Sequence, residues 1–165
     1  LATIWQHGLK PEPGIIIVLV GWALYILDGA SAIVTSNIAW TYQLHGTMWQ
    51  SGHFMTVILA MSMMWMGVLY HHYPVLTGRK LDPALGSLYI KIMTVGSFGA
   101  AITMLAGGAA GMPRRFADWH PEGWMLYGNL ILFFGLILGV SFAVYLYNLM
   151  KSREISAPMG ELARA

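Results

Sequence analysis

The chain has 165 residues, of which only nine are Lys or Arg and seven Asp or Glu, while hydrophobic types make up 57%. A charged fraction of 10%, against roughly 25% in ordinary soluble domains, excludes a soluble globule, a disordered chain and a nucleic-acid binder. The net charge of +2 is too small to imply an acidic partner. With no cysteine, disulfides, iron–sulfur clusters and thiolate zinc sites fall away, so any metal must use His, Met or carboxylate.

Three stretches carry no formal charge: Gly29 to Gly78, Ile92 to Pro113 and Gly123 to Met150. A helix needs about 20 apolar residues to cross a bilayer. In chain order, a lead-in from Leu1 to Gly14 is punctuated by Pro11 and Pro13. The predicted spans follow at about 15–39, 49–70, 84–109 and 124–150. His71, His72, Tyr73 and Pro74 are expected to end the second span, because proline cannot continue a helix. The loop after it carries Arg79, Lys80 and Asp82. The polar turn at 112–123 carries Arg114, Arg115, Asp118, His120 and Glu122, and a polar tail with Pro158 fills 151–165. Residues 1–165 therefore read as one membrane domain, an all-α polytopic bundle of four transmembrane helices. The chain begins on Leu with no basic-then-apolar leader, which predicts a processed terminus or a piece of something larger.

Four spans put both termini on one side. Lys10, Arg79, Lys80, Lys151 and Arg153 share it, so that side reads as cytoplasmic. Arg114 and Arg115 fall on the other side, against the topology rule, and so call for an anion to bind. The small residues of the third span, Gly96, Gly99, Ala100, Ala101, Gly107 and Gly108, predict close helix packing, with a cofactor against that face as the alternative.

His53 sits inside the second span, where an ionisable residue is costly and often functional. Neutral imidazole is also a good iron or copper ligand. Pattern alone favours a packing role for it, a solvated loop for His45, and capping of the helix end for His71 and His72. Asp28 is the only carboxylate inside a predicted span, where a buried acid would be neutral, paired or part of a proton path. The segment Gly111-Met112-Pro113-Arg114-Arg115-Phe116 changes the balance. Two neighbouring guanidiniums suit carboxylates on a large cofactor, such as the propionates of haem. A haem held by His53 would lie in the outer half of the membrane, on the arginines' side.

At this point the sequence resembles subunit I of the haem-copper terminal oxidases, in its carboxy-terminal third, helices nine to twelve. The resemblance rests on Leu44-His45-Gly46-Thr47-Met48-Trp49-Gln50-Ser51-Gly52-His53-Phe54-Met55, on Leu69-Tyr70-His71-His72-Tyr73-Pro74-Val75-Leu76-Thr77-Gly78, on the Gly-Met-Pro-Arg-Arg-aromatic block at 111–116, and on Gly29 and Asn37. It implies that His53 is the proximal ligand of a high-spin haem and that Arg114 and Arg115 hold the propionates. It places His45 near the propionates and a non-redox metal, although Gly46 replaces an Asp common in the family. Met55 stands where the family has the histidine of a low-spin haem. Residues two apart on a helix point about 200° apart, so His53 and Met55 would address different haems. Three readings of Met55 stand: an axial ligand with raised potential, a low-spin haem ligated elsewhere, or a divergent paralogue without that haem.

The resemblance further implies a twelve-helix fold whose copper ligands and proton channels lie in helices absent from these 165 residues. A split subunit is expected, with a companion polypeptide carrying the remaining helices and the copper. Chains like oxidase subunits II and III would join it in the lipid membrane, and a cytochrome, a small copper protein or a quinol would donate electrons. The implied activity is reduction of dioxygen to water with proton pumping, in the plasma membrane of a prokaryote. A non-catalytic oxidase-like subunit is the alternative. A di-haem cytochrome b, which needs paired deep histidines, and a nitric-oxide-reducing relative are weaker rivals.

Overall fold

The computed structural model describes residues 6, 8, 12–115 and 122–155. The expectations for Lys10, Phe116, Asp118, His120 and Pro158 lie outside the described residues. Four long helices dominate, each long and apolar enough to cross a membrane. Helix α1 is Pro13–Ser36, α2 is the short Ile38–Leu44, α3 is Met48–Thr77, α4 is Pro83–Ala109 and α5 is Glu122–Met150. A two-residue antiparallel pair, β1 (Arg79–Lys80) with β2 (Arg153–Glu154), joins the α3–α4 loop to the segment after α5. The protein is an all-α integral membrane bundle.

The helix ends have local causes. The first span stops at Ser36 rather than Ala39, because Asn37 adopts an extended conformation and its side chain accepts the Ala39 N–H at 3.0 Å, starting α2. Thr47 caps α3 by accepting the Trp49 N–H at 3.2 Å. Asp82 caps α4 through Ala84 N–H at 2.9 Å, with Pro83 at the first helical position.

The expected end of the second span at Pro74 is corrected. Helix α3 runs through Pro74 to Thr77. One proline near the last turn removes a single hydrogen bond, and the surrounding contacts outweigh it. Gly78, left-handed at φ 66°, closes the helix by donating its N–H to the Pro74 carbonyl at 2.9 Å. The Tyr73 hydroxyl meets Ser152 Oγ at 3.2 Å, and Arg79 donates to Ser152 Oγ at 2.9 Å and to its carbonyl at 2.6 Å.

Helix α1 packs chiefly on α3 and α5 on α4, and α4 against α3 joins the two pairs. Ile17, Leu24, Leu59, Met63, Tyr89, Met93 and Tyr145 form the common core. The α1–α3 contact is a seam of small residues at seven-residue steps. A Cβ on Gly14 would lie 2.9 Å from the Gly67 carbonyl oxygen, and one on Gly21 would lie 2.9 Å from that of Ala60. The next step along the seam brings Asp28 opposite His53. Backbones that approach this closely bring even short side chains on the two helices into contact.

The small residues of α4 are filled by the chain's own side chains. A Cβ on Gly99 would strike the Phe134 ring, one on Gly96 would lie 2.9 Å from Leu138, and one on Gly108 would run into the Trp49 backbone. Helix packing, the first reading of those residues, is what the fold displays.

Candidate functional site

Helix α3 carries His53 about a turn and a half inside its N-terminal end. Its Nδ1 lies 2.7 Å from Asp28 Oδ1 and 2.9 Å from Ser31 Oγ, both on α1. Asp28 and Ser31 are three residues apart, so they share one face of α1. The Ser31 hydroxyl donates to the Asp28 carbonyl oxygen at 2.8 Å, leaving its oxygen lone pairs toward the ring. Nδ1 thus faces two oxygens, and a ring proton placed on that nitrogen serves both. The neutral tautomer that follows leaves the lone pair on Nε2. Among the described residues no hydrogen bond engages Nε2, and 28% of the side chain is exposed while only 7% of the Asp28 side chain is.

The Asp28 contact is close but not aligned. Oδ1 is fully enclosed and lacks a well-directed hydrogen bond, and His53 Nδ1 is the donor beside it. The polar line continues toward the N-terminal end of α3. The Thr35 hydroxyl donates to the Ser31 carbonyl at 2.8 Å and receives the Trp49 Nε1–H at 3.1 Å. The Thr41 hydroxyl donates to the Thr35 carbonyl.

At the N-terminal end of α3, the segment after α4 is stitched to the turn before α3. Met48 donates its N–H to the Met112 carbonyl at 2.7 Å, Arg114 donates its own to the Gly46 carbonyl at 2.9 Å, and Thr47 bridges Pro113. Met112 is fully buried. The two motif blocks singled out in the sequence therefore meet in space, through residues 46–48 of the first and 112–114 of the second. Arg114 is half-buried and Arg115 exposed, the latter with a left-handed φ of 58°. A non-glycine residue seldom adopts that region, and does so where its surroundings dictate it.

His45 is the exposed residue that ends α2. It lines an open hollow of about 630 Å³ with Thr35, Thr41 and Tyr42. Among the described residues no group of three His, Asp or Glu side chains gathers as a metal cluster. Met55 is 39% exposed on α3. His71 and His72 do not cap a helix end, since α3 continues six residues past His71. His71 Nδ1 instead lies 3.4 Å from Glu12 Oε2 at the surface, and the two imidazoles stack edge-on with centroids 5.0 Å apart.

The donor set fits a haem. One imidazole presents a nitrogen without a hydrogen bond among the described residues, within a span, and two guanidiniums stand near the N-terminal end of the same helix. The Asp28–Ser31–His53 cluster was missed in the sequence as a cluster, although Asp28 and His53 each stood out. The spacing of Asp28 and Ser31 on one helix face was the available signal.

Comparison with known proteins shows the family. The sequence model of the family described as "Cytochrome C and Quinol oxidase polypeptide I" matches residues 1–138. Cytochrome c oxidase subunit 1 of Corynebacterium glutamicum is 26% identical over 158 residues, covering 92% of this chain and 26% of the relative. That of Thermostichus vulcanus is 28% identical, covering 92% of this chain and 28% of the relative. An alternative cytochrome c oxidase subunit 1 of Bradyrhizobium diazoefficiens is 26% identical, covering 96% and 28%. The chain spans about a quarter of the length of these curated relatives.

Proposed function

The chain belongs to the cytochrome c and quinol oxidase polypeptide I family, and on that premise we propose that it forms the carboxy-terminal helices of an oxidase catalytic subunit that reduces dioxygen to water and pumps protons. His53 is the proximal ligand of the high-spin haem. The observation that carries this reading is the imidazole held through Nδ1 by α1, with no hydrogen bond on Nε2 among the described residues.

Haem, when bound, supplies the iron at which dioxygen is reduced. The chain's own residues bind and orient it. His53 Nε2 donates its lone pair, and the close seam between α1 and α3 fixes the ring's direction. Arg114 and Arg115 balance the propionates by fork-like hydrogen bonds, and His45 stands near them on the outer side. Met55, partly uncovered on α3, offers its thioether to a low-spin haem. The copper centre and the remaining helices come from polypeptide outside these 165 residues. Electrons arrive from a cytochrome, a copper protein or a quinol. Arg79 and Lys80 gather with Lys151 and Arg153 at one end of the bundle, which supports a cytoplasmic side there.

The test is a reduced-minus-oxidised spectrum of the purified complex with and without carbon monoxide. His53→Gly is expected to abolish the carbon-monoxide-sensitive haem signal, and added imidazole to restore part of it. An unchanged signal would refute the ligand assignment. The departures at Gly46 and Met55 favour a second reading, a non-catalytic oxidase-like subunit. Oxygen uptake by the purified complex decides between the two.

A further inference from the structure

We propose that Asp28 is a positioning residue for the iron ligand: its carboxylate takes the Nδ1–H of His53, fixes the ring's direction, and makes Nε2 a stronger donor to a haem iron. The inference rests on the reading of His53 as that ligand.

Three observations converge on Asp28. Its Oδ1 lies 2.7 Å from His53 Nδ1, the shorter of the two contacts to that nitrogen. Ser31 Oγ, the other neighbour, spends its proton on the Asp28 carbonyl and so offers Nδ1 a neutral hydroxyl acceptor at 2.9 Å, whereas Asp28 offers it a charged one. Oδ1 is sealed from solvent, and among the described residues no other hydrogen bond satisfies it. An enclosed carboxylate oxygen without a donor is unfavourable. A small rotation of ring or carboxyl aligns the one donor beside it and satisfies both groups at once.

The seam makes the contact durable. Two seven-residue steps of close backbone approach, at Gly14 against Gly67 and Gly21 against Ala60, lead to the Asp28–His53 step. The partnership is therefore set by helix packing and not by a mobile loop.

The chemistry follows from the acceptor's charge. A ligating imidazole whose other N–H is given to a carboxylate gains basicity and a fixed orientation. Electron density moves toward Nε2, which favours ferric over ferrous iron and lowers the reduction potential. A backbone carbonyl or hydroxyl acceptor exerts the same pull more weakly, since charge-assisted hydrogen bonds are roughly twice as strong.

The experiment uses the intact, haem-loaded complex. Resonance Raman of the ferrous state reads the iron–imidazole stretching band, and potentiometry reads the midpoint potential of the high-spin haem. The wild-type band is expected near that of a reference ferrous haem with imidazolate, above that with neutral imidazole. Asp28→Asn keeps a neutral acceptor of the same size, and is expected to lower the band frequency and raise the potential. Ser31→Ala is expected to leave both nearly in place. A wild-type band coinciding with the neutral-imidazole reference overturns the proposal, even where Asp28→Asn prevents assembly. So does an Asp28→Asn complex with band and potential unmoved, or a shift produced by Ser31→Ala alone. Failure of the ligand reading looks different: the band then survives in His53→Ala.

Discussion

The two helix pairs of this bundle use the same device for different ends. In both, small residues let helices approach closely. Between α4 and α5 the space above Gly96 and Gly99 is filled by Leu138 and Phe134, and the polar contacts within the core are modest, such as Ser141 Oγ donating to Met93 Sδ at 3.2 Å. Between α1 and α3 the close approach at Gly14 and Gly21 carries a line of polar side chains instead: Asp28, Ser31, Thr35, Trp49 and His53. One pair is a scaffold that fills itself. The other is an instrument that leaves one nitrogen unspent.

The contrast can be broken most sharply at His53. Its replacement by Ala is expected to remove the high-spin haem signal altogether while leaving helix content unchanged by circular dichroism, because the ring is only partly covered. Next in size, Arg114→Ala should weaken haem retention by about 1.5–3 kcal/mol, the usual worth of a hydrogen bond to a charged group, since Arg114 is only half-buried. Haem loss during detergent washing measures it. Exposed Arg115 should matter less.

A matched pair of overpacking variants sharpens the comparison further. Gly21→Val in the seam and Gly99→Val in the scaffold should each destabilise by about 1–3 kcal/mol, read as a fall in the thermal midpoint of the complex. Only Gly21→Val should also displace the high-spin haem spectrum, since it pushes α1 off the helix that bears His53. Spectral change in both, or in neither, would erase the proposed division of labour. Met55→Leu is expected to cost under about 1.5 kcal/mol in stability, as a swap of similar volume, yet to remove a low-spin haem band. A band that persists would leave Met55 a packing residue.

Much of the fold was legible, because long uncharged stretches admit few structures. The ends were less so. Pro74 read as a stop by a local rule, but the end of α3 is decided by Gly78 and by Tyr73 and Arg79 reaching Ser152, far away in sequence. Asn37 broke the first span through a side-chain cap that composition does not reveal. His53, Arg114 and Arg115 stood out as residues whose polarity opposed their setting. The pairing of Asp28 with His53 did not, because it depends on the register of two helices, and a slip of one residue turns a side chain about 100° away.

The seven-residue steps of that seam carry a mechanical corollary. A straight α-helix drifts about 20° per heptad, so a gentle left-handed winding of the pair would keep Gly14, Gly21 and Asp28 facing α3 together. The pair then behaves as a geared shaft. Gly14 lies 14 residues from Asp28, about 21 Å along the axis, near the opposite membrane surface. A torque applied there, by a lipid, a neighbouring helix or a substitution, would be felt as a change in the bearing of one imidazole across the membrane.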